Sequence, residues 1–226
     1  PGYFGLEAGQ SAVGDIFNWF VGGIGPMGLS HEQLTEQASK LKPGESGILT
    51  LDWHNGNRTV LVDQRLTGLT LGMHLQTTPA EVYLSLIEAT AFGARVIVER
   101  FEEYGVKVER VINCGGIAAR NPLAMQVYAN VFNRPIMLSR SFQTCALGSA
   151  IAAAVVAGAH PNFDAAIKAM TGVQDRIFKP VPAHVAVYQK LFGLYRQLHD
   201  AFGIAGTQTD LSGVMKHLLA IRDVAR

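Results

Sequence analysis

The chain has 226 residues, 48% of them hydrophobic, and 19 Lys and Arg against 18 Asp and Glu give a net charge of +1. That length suffices for one large domain with a sizeable core. The balanced charge excludes the basic footprint of a nucleic-acid binder and the polybasic cluster of an anionic-membrane binder. The longest apolar run, residues 146–159, is shorter than the roughly 20 residues a bilayer span takes, and the first residues show no secretory leader pattern. The two cysteines, Cys114 and Cys145, make no disulfide framework. Each lies in an apolar stretch and is expected as a free buried thiol in a reducing cytoplasm. The seven histidines show no metal-ligand spacing.

In chain order, residues 5–21 read as a helix with Val13, Phe17 and Phe20 on its apolar side, stopped by Gly22, Gly23, Gly25, Pro26 and Gly28. Ser30 opens a second helix and Gln33 completes a capping box; this helix ends before Pro43-Gly44. Residues 48–53 and 59–62 read as short strands around a polar turn, His54 to Arg58. Thr78, Pro79 and Glu81 form a strong helix start, and the helix should run to about Tyr104, roughly 40 Å at the helical rise. It carries two apolar stripes, one through Leu84, Ile87 and Ala91 and one through Tyr83, Leu86 and Gly93, so it should be sandwiched between a sheet and another element.

A strand at residues 108–113 then leads into Gly115-Gly116, read as a tight turn. A helix capped by Asn121 with Pro122 behind it runs to Phe132. A strand at 135–138, a small-residue helix at 146–157 and a long helix at 185–202 complete the series. Strands alternating with helices predict an α/β layered fold.

The Gly115-Gly116 pair removes side chains where a ligand could approach the backbone, and the helix after Asn121 aims its free amides back toward it. On spacing alone a structural turn is the commoner meaning. Asn121 has two readings, helix cap or polar contact to a base or ribose. Asp15, Asp52 and Asp63 read as solvated or capping carboxylates, and Trp53, His54, Asn55 and Arg58 as a structural loop.

The block from Val111 to Asn130, with its two glycines, Asn121 and Met125-Gln126, resembles the adenosine motif of the FGGY sugar kinases. Arg134-Pro135-Ile136 and the Thr144–Ala154 segment continue that pattern, and residues 68–88 are a near match to the family's second signature. Three strings are similar to the ribulokinase branch of that family: Tyr3 to Asp15 with its Glu-Ala-Gly-Gln core, Leu51 to Gly68, and Val185 to Leu191 with Leu198-His-Asp200.

The resemblance implies an actin-like (RNase H-like) α/β fold. Residues 1–226 would form a single carboxy-terminal, nucleotide-side domain with a mixed sheet flanked by helices. It implies ATP with Mg²⁺ as cofactors and phosphorylation of L-ribulose in arabinose catabolism. ATP-binding residues would be Gly115, Gly116, Asn121 and Thr144; sugar-binding residues would be Glu7 and Gln10. No catalytic residue is assigned. The catalytic base and both phosphate loops are expected upstream of residue 1, on an amino-terminal kinase domain that would be this chain's partner, and a homodimer is compatible with the family. A non-catalytic actin-like nucleotide-binding or interaction module, or a kinase for another pentulose or polyol, remains the alternative. A Rossmann dinucleotide enzyme is excluded, because the Gly-x-Gly-x-x-Gly spacing is absent.

Overall fold

A computed structural model describes residues 4–226, so Tyr3, the first residue of the Glu-Ala-Gly-Gln string, lies outside the described residues. Its central element is α3 (Pro79–Glu103), and local chemistry explains where it starts. Thr78 Oγ1 accepts from Glu81 N at 3.3 Å, Glu81 Oε2 accepts from Thr78 N at 2.7 Å, and Pro79 occupies the first turn. Every residue from Tyr83 to Gly93 is buried. This half of α3 is covered by α2 (His31–Ala38), β1 (Leu49–Leu51) and α5 (Pro122–Phe132), which is the sandwich that two apolar stripes predict. Past Gly93 the helix emerges, and its surface carries ion pairs such as Arg95–Glu99 at 2.9 Å.

Two small sheets flank this spine. β1 pairs antiparallel with β2 (Leu69–Leu71). β3 (Val111–Asn113) pairs parallel with β4 (Ile136–Ser139), which pairs antiparallel with β5 (Val173–Phe178), giving a mixed sheet in the order β3-β4-β5. The connection from β3 to β4 runs through α4 (Gly115–Arg120) and α5. α8 (Pro182–Gly203) closes the other side of the core. Its Tyr188, Phe192 and Tyr195 surround Phe92 of α3 at ring distances of 6.2, 6.0 and 5.3 Å. α9 (Val214–Ala225) packs on α8 through Val214 and Leu218. One continuous core reaches from Ala12 to Leu218.

Several expectations are corrected. The first helix does not begin at residue 5. α1 covers Gly14–Trp19 and passes into a π-helical turn, Phe20–Ile24. Gly25 N donates to Phe20 O at 2.7 Å to close that turn, and a Cβ at Gly25 would collide with the same carbonyl. Residues 59–62 are not a strand: Val62 has φ of 55°, and the loop closes on itself through paired bonds between Asn57 and Asp63. Gly115-Gly116 is not a bare turn before α5 but the start of α4, with Gly115 at φ of 82° after Cys114.

Both cysteines are exposed, not buried. Cys145 sits on α6 (Thr144–Val156), where only Ile151 is buried, and Cys114 caps α4. Asp52 is buried rather than solvated, whereas Asp63 caps its turn by accepting from Arg65 N at 2.8 Å. β2, α7 (Phe163–Met170), β5 and α9 are additional to the elements read from the sequence. Among the described residues no helix is long and apolar enough to cross a membrane.

Candidate functional site

A cleft of about 1260 Å³ lies where α2, α4, the start of α5 and β5 face one another. α2 stands there because Ser30 and Gln33 form the expected capping box, with Gln33 N to Ser30 Oγ at 3.2 Å and Ser30 N to Gln33 Oε1 at 2.9 Å. α5 starts there because Asn121 Oδ1 accepts from Ala124 N at 2.9 Å. That bond uses only the oxygen end of the Asn121 amide. The nitrogen end points toward Thr35 Oγ1, at 3.5 Å, on the cleft wall. The cap reading of Asn121 holds, and both ends of its amide are engaged, the oxygen by Ala124 N and the nitrogen by Thr35 Oγ1 on the cleft wall.

Gly116 lines the same cleft, and an added Cβ there would meet nothing within 4 Å. Tyr83 of α3 forms the deep wall, with its hydroxyl 3.2 Å from His31 Nδ1. Burial pushes the Tyr83 phenol up, while hydrogen bonding with Thr35 and Asn121 pulls it back. A mixed wall of this kind suits a ligand with a flat apolar body and a few polar edges. Gly115 does not line the cleft, although its neighbour Gly116 does. Thr144, the first residue of α6, is half-buried and does not line the cleft.

Tyr83, Thr35 and His31 were missed by sequence reasoning. Tyr83 lies on one of the two apolar stripes of α3, but periodicity says only that it is covered, not that its hydroxyl meets a cleft.

A second polar region lies along residues 7–11. Glu7 Oε1 accepts from Arg58 Nη2 at 2.7 Å, and Glu7 is 84% exposed. Gln10 is turned inward: its Nε2 donates to Asp52 Oδ2 at 2.6 Å and to Thr90 O at 2.9 Å. Asp52 Oδ1 accepts from Tyr195 Oη at 2.6 Å. Burial pushes the Asp52 carboxyl up, against the hydrogen bonds from Tyr195 and Gln10. Gly14, at the other end of this stretch, lines the large cleft and packs on Ile117, with 3.3 Å between an added Cβ and Ile117 Cδ1. One short segment thus joins the two regions. Among the described residues no three or more His, Cys, Asp or Glu gather as a metal site.

The sequence model for the C-terminal domain of the FGGY family of carbohydrate kinases matches residues 1–157. The chain is 48% identical over 99% of its length to a ribulokinase of Halalkalibacterium halodurans, of which it covers 41%. It is 47% identical over its whole length to a ribulokinase of Anoxybacillus flavithermus, covering 42% of that protein. It therefore spans about two fifths of the curated relatives it matches. Among solved structures, a xylulose kinase from Rhodospirillum rubrum superposes on 85% of the chain with a TM-score of 0.73 at 25% identity, 38% of that chain being covered. A Lactobacillus acidophilus xylulose kinase gives 0.74 at 22% identity, with the same coverage of both chains. The expected α/β fold with a mixed sheet flanked by helices, of the actin-like ATPase kind, is the one observed. The chain belongs to the FGGY family of carbohydrate kinases, whose C-terminal domain it carries.

Proposed function

We propose that this chain is the nucleotide-side domain, residues 1–226, of an ATP-dependent kinase that phosphorylates L-ribulose on a terminal hydroxyl, and that it works in the cytoplasm in arabinose catabolism. The observation that carries the reading is the 48% identity to a ribulokinase across 99% of the chain. The cleft adds physical support. Gly116 leaves room for a planar base, Asn121 lines the same wall, where its amide nitrogen would exchange Thr35 for the base, and α4 and β5 enclose it.

Glu7 is the sugar-facing group in this reading. A carboxylate takes vicinal hydroxyls through charge-assisted hydrogen bonds, and Glu7 holds its place through a single exposed ion pair that a sugar can displace. Gln10 is a poorer sugar ligand, since its amide protons are engaged by Asp52 and Thr90. Gly115 permits the entry of α4, and Thr144, outside the cleft lining, would serve the nucleotide only where the ligand extends beyond the cleft. Among the described residues no group of acids, histidines or cysteines would hold a metal, and Mg²⁺ would arrive on the nucleotide's phosphates. Phosphoryl transfer depends mainly on positioning and charge neutralisation. The proton-accepting carboxylate and the phosphate loops belong to an amino-terminal kinase domain, the proposed partner.

ADP release with L-ribulose tests the reading, measured on this chain alone and on the full-length protein that contains it. Turnover by the full-length protein only is the expected result. Activity with a different polyol would preserve the kinase class and reject the sugar. No ADP release with any sugar would favour a non-catalytic nucleotide-binding module.

A further inference from the structure

Asp52 is 6% exposed, and its carboxylate bonds to two neutral groups, the Tyr195 hydroxyl and the Gln10 amide, each at 2.6 Å. Taking a carboxylate out of water costs several kcal/mol, and apolar packing of the same volume is often the more stable solution. The neighbouring helix bears a second cost at the same point. Gly93 sits within α3, where glycine is unfavourable by about 0.5–1 kcal/mol relative to Ala. A Cβ there would collide with Asp52 Oδ2 and come within 2.6 Å of Gln10 Nε2. Both costs serve one contact, the seat of Gln10 against Asp52.

The other side of the segment is gripped as well. Thr59 Oγ1 accepts from Gly9 N at 2.8 Å and donates to Gly9 O at 2.7 Å. Residues 9 and 10 are thereby fixed from two directions, and Glu7 stands two residues away with Arg58 at 2.7 Å. The result is an exposed carboxylate two residues from an anchored backbone, an arrangement that lowers the ordering cost of binding a small polar ligand.

We infer that Asp52 is a positioning residue for sugar binding, which acts through Gln10 to hold the backbone that presents Glu7. This rests on the proposal that Glu7 faces the sugar. In the full-length protein, Asp52→Asn and Gln10→Ala should each raise the KM for L-ribulose about ten-fold while the KM for ATP changes less than about two-fold. Tyr195→Phe removes the other bond to Asp52 and keeps the Gln10 seat. It should lower the thermal midpoint and leave the sugar KM near its original value.

In a Glu7→Ala background, Asp52→Asn should add nothing further to the sugar KM, because both act through one contact. Additive effects, or parallel rises in both KM values, would overturn the inference. Amide hydrogen exchange judges the anchor independently of activity. Exchange of the Gly9 amide, which is protected by its bond to Thr59 Oγ1, should quicken about ten-fold in Asp52→Asn and Gln10→Ala, with α2 and α9 unchanged. Unchanged exchange at Gly9 would also overturn it. A Glu7→Ala protein with an unaltered sugar KM would reject the Glu7 assignment alone, leaving the anchor to be decided by exchange.

Discussion

Gly115 and Gly116 are adjacent and chemically identical, yet the structure gives them different work. Gly115 has φ of 82°, a backbone conformation that costs an L side chain roughly 1–2 kcal/mol, so its absent Cβ serves the chain path. Gly116 has no such requirement and an added Cβ would meet nothing; it lines the cleft, so under the proposed nucleotide reading its absent side chain leaves room there. Gly116→Val in the full-length protein should raise the KM for ATP about ten-fold while thermal melting stays within a few degrees of the parent. An unchanged KM would remove Gly116 from the nucleotide site. Glu88 gives a second prediction at this scale. It is 3% exposed, accepts from Tyr188 Oη at 3.0 Å, and burial pushes its carboxyl up to about 8. The fold therefore prefers the protonated acid. Below the ordinary carboxylate range both folded and unfolded states hold the proton. Between pH 4.5 and about 8 only the folded state does. Stability should fall across that window by on the order of 1.4 kcal/mol per pH unit from this group, then level off. Urea unfolding at several pH values checks this, and Glu88→Gln should flatten the slope.

At the scale of elements, helix starts were the most legible feature. The Thr78–Glu81 and Ser30–Gln33 boxes and the Asn121 cap all lie within three residues of the turn they serve, so their hydrogen bonds follow from local order. Thr78→Ala should cost about 1 kcal/mol, read as a lowered urea midpoint with an unchanged m-value. A larger loss would mean that Thr78 also supports the packing of Glu81 beneath Arg226, whose Nη2 lies 4.0 Å from Glu81 Oε1. Weakly patterned elements were not legible. β5 is mostly exposed with Asp175 and Arg176 in its middle, so it has no alternation to read; pairing with β4 makes it a strand. The expected helix over residues 5–13 fails because Gly9 is clamped by Thr59, a bond across 50 positions that local propensity does not contain.

Across the whole molecule, α6 is the longest of the elements that stay largely uncovered. It is built almost wholly from small and apolar residues, yet only Ile151 is buried, and Val156 is 88% exposed. A bare apolar helix face of this kind favours association. The isolated chain should show concentration-dependent self-association by light scattering, and Val156→Lys should reduce it with little change in stability. A strict monomer at high concentration would contradict this. The same face explains why Cys145 is exposed where its sequence neighbours imply a buried thiol.

By itself, the sequence determined the helix caps, the double stripe of α3 and the strings shared with ribulokinases. Each depends on residues a few positions apart or on direct identity. Only the tertiary structure decided that Asp52 is buried, with Gln10 and Tyr195 reaching it from 42 and 143 positions away. It also decided that Tyr83, Thr35, Gly116 and Asn121 meet around one cleft. Those facts depend on which surfaces are packed together and which hydrogen bonds close between distant segments, and neither composition nor periodicity carries that information.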